Sequence, residues 1–233
     1  MSESVSDNSG AVSFPAFHER VGELTPADLA RVRLAAATRA LVHDAFMSTS
    51  SADDIEAAVA AIESAIVHVN TPGGVNGSAA AESHFSDRSP FYGVMNPISM
   101  PMQMGRDDSI GEFGCVTGTV RFTEPYEGPP GHCHGGFIAG AFDEVLGMAQ
   151  SLTGRPGMTG NLSVNYRAPT PLHTDIVYRG WVDRVDGRKI FTKGTAHNGD
   201  VLCAEAEAIF ISMPVELMDR LRKGRDVSGQ PQG

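Results

Sequence analysis

Lysine is nearly missing from this chain: there are three, all after position 188. Eighteen basic side chains stand against 28 acidic ones, for a formal net charge of −10. That balance excludes the cationic footprint with which nucleic-acid binders neutralise phosphates. The deficit is uneven: residues 1–90 hold twelve acidic and five basic side chains, a net −7. The C-terminal half is therefore the better host for an anionic ligand. Cysteine is also scarce. Cys115, Cys133 and Cys203 have no paired spacing, which fits free thiols in a reducing compartment. No window reaches the roughly 18 consecutive apolar residues of a membrane span. The first residues, Met-Ser-Glu-Ser-Val-Ser-Asp, lack the basic and apolar segments of a secretory signal, so a cytoplasmic location is expected. Gly-x-Ser-x-Gly, Walker A and Gly-x-Gly-x-x-Gly sequences are all missing, which argues against nucleophile-elbow hydrolases and nucleotide-phosphate loops.

What is present is a hydrophobic fraction of 41% over 233 residues, enough for one large domain or a smaller one with an extension. Residues 1–13 are small and polar and read as a disordered tail. Residues 14–94 read as a helical extension and linker. Thr25-Pro26-Ala27-Asp28 is a helix start, with Thr as N-cap, Pro at the first helical position and an acid at the third. Leu24 and Leu29 stand at hydrophobic-staple positions, and the helix should run to about Met47. Ser51-Ala-Asp-Asp repeats the signal. Ile55, Val59, Ile62, Ile66 and Val69 then recur at helical spacing until Thr71-Pro-Gly-Gly. Such a helical hairpin must bury its apolar stripe, either as a packing appendage or as a lid.

From residue 95 the pattern changes to short strands, over a domain expected at 95–213. Segments Ile98 to Met104, Cys115 to Phe122, Thr159 to Arg167, Asp175 to Val185, Lys189 to His197 and Val201 to Met213 read as strands. Pro101 would put the first at an edge. Leu162, Val164 and Tyr166 are expected to point inward. Asp186-Gly187 and Asn198-Gly199 are hairpin signals. Residues 214–233 read as a short helix, Glu216 to Lys223, and a polar tail. Two strands, one helix and four more consecutive antiparallel strands joined by tight turns make an α+β fold, a sheet with a helix laid across it.

That helix carries the chemistry. It follows Gly131-His132-Cys133-His134-Gly135-Gly136 and is apolar all round except at Asp143 and Glu144. A helix apolar on every side is wrapped by its domain, and a carboxylate within it must be paired or face a wet site. Its glycine-rich start leaves backbone N–H groups open at the positive dipole end. An amide donor and an acid two turns on can polarise a carbonyl and activate water, or the acid can be a structural ion-pair partner. His132-Cys133-His134 lacks a second cluster to complete a metal site, so no metal is expected.

His134-Gly135-Gly136, Asp143, the Asn161-Leu-Ser-Val-Asn-Tyr-Arg-Ala-Pro strand, the Gly187-Arg-Lys turn and the Glu205-Ala-Glu-Ala-Ile-Phe strand together resemble hotdog-fold acyl-CoA thioesterases. The nearest branch is the phenylacetate-pathway type, which includes mammalian thioesterase-superfamily members. The resemblance covers roughly residues 95–213 and implies a curved sheet of about six strands around one helix. It implies a homodimer or homotetramer, paired edge to edge, with active sites at the subunit interface. By position, Asp143 would serve as general base or nucleophile, and the Gly135 N–H would polarise the thioester oxygen. His134 would position the loop or contact the thioester region, and Thr159 would orient water or the acid from across the dimer. Gly136 and Asn161 would join the substrate site. Arg167, Arg188 and Lys189 would contact the CoA phosphates, unless they are ordinary solvated charges at strand ends. CoA is part of the substrate, and no cofactor is implied.

Many members carry Asn or Gln six residues before the His, where this chain has Gly128. That departure favours a non-catalytic acyl-CoA binder as the rival reading. An enoyl-thioester hydratase is a further rival, but no His here has an Asp five positions before it. Asp143 and Glu144 lie about 100° apart on a helix, so one cleft takes only one of them. Glu144 is expected to face a partner subunit or solvent.

Overall fold

The computed structural model describes residues 23–69, 85–100, 102–155 and 157–214. The expected tail at 1–13 and the expected helix at 216–223 lie outside them. Helix α1 spans Pro26–Met47. Thr25 caps it in a reciprocal capping box with Asp28, whose carboxylate also bonds Arg31. Helix α2 spans Ala52–Val69, with the Ser51 hydroxyl accepting from the Asp54 N–H. A 3-10 turn at Phe85–Arg88 follows the linker. Then come β1 (Gln103–Asp107), β2 (Cys115–Arg121), a 3-10 turn at Glu124–Tyr126 and α3 (Gly135–Ser151). Strands β3 (Gly157–Tyr166), β4 (Asp175–Asp186), β5 (Lys189–Asn198) and β6 (Val201–Ser212) complete the element order.

The six strands form one antiparallel sheet in the order β1-β2-β4-β5-β6-β3, with α3 across one face. The α+β architecture read from the sequence therefore stands. Alternation along β2, β4, β5 and β6 turns Val116, Val120, Ile176, Tyr178, Ile190, Ala204, Ala206 and Phe210 toward the helix, all buried. From above, α3 contributes Ile138, Ala141, Phe142, Val145, Leu146 and Ala149. Glycines let the helix settle close to the strands. A Cβ on Gly180 would stand 2.8 Å from Val145, and one on Gly194 3.0 Å from Leu146. Both two-residue hairpins begin with glycine at positive φ, Gly187 and Gly199, as primed turns require.

Two expectations about strands need correction. The segment before β1 is a string of turns, so the strand begins at Gln103 rather than Ile98. The N–H groups of that segment are spent locally: Ile98 on the Asn96 side-chain oxygen, Ser99 on the Asn96 carbonyl, Met100 on the Pro90 carbonyl and Met102 on the Phe91 carbonyl. Donors satisfied in this way are not offered to a ladder. Strand β3 also does not pair with its successor β4; it lies beside β6 at the sheet edge. Its link to β4 passes Pro169-Thr170-Pro171 and is tied to the loop ahead of α3, through Cys133 N–H to the Thr170 carbonyl and Leu172 N–H to the Gly131 carbonyl. As an edge, β3 is unusual in carrying no charge over its ten residues, GMTGNLSVNY.

The helical extension touches the domain lightly. Only Ala35 of α1 is buried, and no residue of α2 is. Ile55, Val59, Ile66 and Val69, the stripe expected to find cover, are exposed. Polar contacts hold α1: Arg39 donates to the Asn96 carbonyl at 2.7 Å, and His43 reaches Glu124 at 3.3 Å.

Candidate active site

The loop before α3 is built around a close approach. Gly128 donates to the His132 carbonyl, and a Cβ there would lie 2.8 Å from the His134 Cα. Residue 128 has no room for a side chain while His134 holds its place. The missing polar side chain at this position thus goes with the close approach of His134.

His134 is the N-cap of α3. Its Nδ1 accepts the Gly136 N–H at 3.0 Å, and its carbonyl accepts from Phe137 and Ile138. The first turn of a helix has orphan donors, and here nearly all are used. Among the described residues, the Gly135 N–H is the donor of this turn without an acceptor. Gly136 is thus occupied by the cap and is not a free donor toward a ligand. His132 turns its Nδ1 to the Pro130 carbonyl, and Cys133 is buried with its thiol pushed up to about 12 by that burial. The three side chains of the His-Cys-His run are used separately.

Two turns along, Asp143 is half-buried and accepts a 2.8 Å hydrogen bond from the Thr159 hydroxyl. Thr159 was expected to act from across a dimer; it reaches the acid of its own chain instead. A bulge explains this. Thr159 pairs with Phe210 but Asn161 pairs with Ile209, so Gly160 is an extra residue in β3. Thr159 thereby shares the face of Phe210, toward the helix. The same slip turns Asn161 to the face of Ile209, away from Asp143. Without the bulge, Thr159 would share that outer face with Asn161.

Glu144 departs from expectation as well. The chain's own segment after Phe85–Arg88 covers it, with Ser89 donating to its carboxylate at 3.0 Å. The same hydroxyl accepts the N–H groups of Phe91 and Tyr92. Burial, opposed by the Ser89 bond and aided by the Asp143 charge, raises Glu144 to about 7. Phe91 seats its ring tip against Gly140, where a Cβ would lie 2.4 Å away. Nothing in the sequence pattern marks Ser89 or Phe91, because the contact joins a linker to a helix about fifty residues later.

The three proposed phosphate cations are not gathered in one chain. Arg167 pairs with Glu205 on the face away from α3, just past the end of β3. Arg188 donates to the Ser212 carbonyl, and Lys189 opens β5, both beside the start of β3. A ten-residue strand is about 30 Å long, so the two groups stand far apart. Arg155, which the sequence did not single out, joins the second group by donating to the Gly187 carbonyl. Tyr166, expected to point into the core, is 53% exposed, and its hydroxyl donates to the Gly135 carbonyl at 2.8 Å. It keeps the helix-facing side of β3 but lies beyond the last buried turn, over the helix mouth.

An amide donor at a helix mouth, an acid within the helix and an antiparallel sheet wrapped around both define a hotdog fold with a candidate acyl-thioester site. A model of the thioesterase superfamily matches residues 130–207. A crystal structure of a thioesterase superfamily protein is 30% identical, with a TM-score of 0.67 over 78% of this chain and 90% of its own. The chain belongs to the thioesterase superfamily. The acyl-coenzyme A thioesterase THEM4 of Xenopus laevis is 39% identical over 38% of this chain and 41% of that protein. THEM4 of Bos taurus is 38% identical over 40% of this chain and 39% of its own length. The matched stretch thus spans about two fifths of these curated relatives. No helix among the described residues is long and apolar enough to cross a membrane.

Proposed function

We propose that this chain hydrolyses an acyl-CoA thioester to the free acid and CoA, in the cytoplasm, with sites shared between two copies. The observation that carries the reading is the pairing of one unspent N–H, at Gly135, with one wet carboxylate, at Asp143, on the same helix. The substrate class also follows the relatives, which are acyl-coenzyme A thioesterases by name.

Asp143 takes a proton from water, and the resulting hydroxide adds to the thioester carbon. The oxyanion that develops is held by the Gly135 N–H, aided by the positive end of the helix. The C–S bond then breaks, and the sulfur leaves with the proton Asp143 had taken. Direct attack by the carboxylate, through a mixed anhydride that water then splits, gives the same products. Labelled water separates the routes, since only the anhydride puts label into Asp143. In both, Thr159 holds one oxygen of the acid and leaves the other to act. His134 positions the loop through its cap.

Geometry supports a shared site. Residues 135 and 143 lie eight positions apart on one helix, a rise of about 12 Å, too far for one carbonyl to meet both. Two helices running oppositely would bring the Gly135 of one chain to the Asp143 of the other. Pairing of two β3 edges, antiparallel about a two-fold axis, would do this. It would also set the Arg167 end of one strand beside the partner's Arg155, Arg188 and Lys189, gathering cations for the CoA phosphates.

The test uses two disabled variants. Asp143→Asn should lose activity by about 10²- to 10⁴-fold. Gly135→Pro deletes the N–H at a helix position where proline is favoured and also presses its ring on Tyr166, so it should cost at least about 10²- to 10³-fold. If sites are shared, co-refolding equal amounts of the two should restore roughly a quarter of the wild-type rate, because half the dimers are mixed and each holds one intact site. Mixtures no more active than their parents would sink the shared site. Tight binding of acyl-CoA by the wild type without thiol release would sink hydrolysis and leave a binder.

A further inference from the structure

We infer that Tyr166 is a positioning residue for the oxyanion donor: its hydroxyl locks the first peptide of α3 so that the Gly135 N–H stays aimed outward. The inference rests on the hydrolytic reading above and adds a residue to it. Three observations converge on this side chain. The Tyr166 hydroxyl donates to the Gly135 carbonyl at 2.8 Å. The hydroxyl end of its ring abuts the same residue, since a Cβ on Gly135 would meet the phenol oxygen at 3.1 Å and the ring carbon bearing it at 3.2 Å. Within its own chain Tyr166 is more than half exposed, so burial against that chain is not what fixes its ring there.

Gly135 joins two peptide units with opposite tasks. The unit before it carries the unspent N–H, and its own carbonyl, that of His134, accepts from Phe137 and Ile138. The unit after it carries the carbonyl held by Tyr166 and the N–H held by His134 Nδ1. Glycine at the junction has the widest backbone freedom of any residue, and a helix end frays first. With both ends of the second unit clamped, rotation about the Gly135 bonds is blocked. The donor cannot swing toward a neighbouring acceptor before the oxyanion forms. Preorganisation of this kind matters more in the transition state than in the ground state, because the charge it meets appears only there.

The test is Tyr166→Phe, which removes one oxygen and keeps the ring on Gly135. Steady-state thiol release should fall about three- to tenfold in kcat with KM unchanged, the span of one uncharged hydrogen bond. A second readout uses Asp143→Asn, which should hold an aroyl-CoA intact. Infrared spectroscopy of the bound, ¹³C-labelled thioester carbonyl should show a shift to lower frequency, smaller in Asp143→Asn/Tyr166→Phe. Unchanged kcat and an unchanged carbonyl shift would overturn the positioning role while leaving hydrolysis intact. A loss confined to KM would overturn it too, by making Tyr166 a substrate contact. A wild type that releases no thiol would overturn the hydrolytic reading, and this inference with it.

Discussion

Asp143 and Glu144 are consecutive residues with opposite surroundings, and the difference lies in what covers each. Asp143 meets one hydroxyl and remains partly wet, whereas Glu144 sits beneath Ser89 and Tyr92 with its pKa raised to about 7, chiefly by burial. The stability consequence has a definite sign. A carboxyl whose folded pKa exceeds its unfolded value holds its proton longer in the folded state, so its contribution is present below about pH 4.5 and is lost as pH rises through about 7. Glu144→Gln keeps an acceptor for Ser89 and cannot ionise. It should therefore raise the melting temperature at pH 8 and leave it nearly unchanged at pH 4.5. A melting curve displaced equally at both values would mean that Glu144 is not charged-and-buried at neutral pH. The sequence does distinguish the two acids by helical angle. It does not say which face a linker fifty residues earlier will cover, because that contact has no local pattern.

Between elements, the decisive contacts are places where a side chain is missing or inserted. Gly140 admits Phe91, and together with the Ser89 bond to Glu144 this holds residues 89 and 91 against α3. Gly140→Ala should displace that ring and destabilise the protein by about 1–3 kcal/mol, the ordinary cost of overpacking, read by denaturant unfolding. A neutral result would show that Phe91 swings aside freely. The inserted residue is Gly160. Helix ends and hairpins were legible because their signals are local: Thr25 with Asp28, Asp186-Gly187, Asn198-Gly199. The bulge was not, since one extra residue in a strand is defined only by the partner it slips against. That single slip decides that Thr159, and not Asn161, meets the acid. The place of β3 at the sheet edge was hidden for a similar reason: sequence order suggests a hairpin with β4, and only the tie between the 170–172 stretch and the helix-entry loop sends the chain across.

At the scale of the whole molecule, fold and site differ in how much one chain can supply. One chain completes the sheet, the core and the wrapped helix. On the hydrolytic reading proposed above it would not complete the site, because the Gly135 donor and the Asp143 acid are two helical turns apart. The uncharged outer rim of β3 points the same way, since proteins usually guard an open strand with lysine, proline or a covering helix. A lone protomer would thus be folded yet unfinished, with its last row of amides and carbonyls offered to the first complementary strand it meets. Supply then becomes a form of control. On serial dilution, turnover per milligram should fall, and recover on reconcentration, as light scattering follows the mass from two chains to one. Constant specific activity across that transition would mean the strand needs no companion to work.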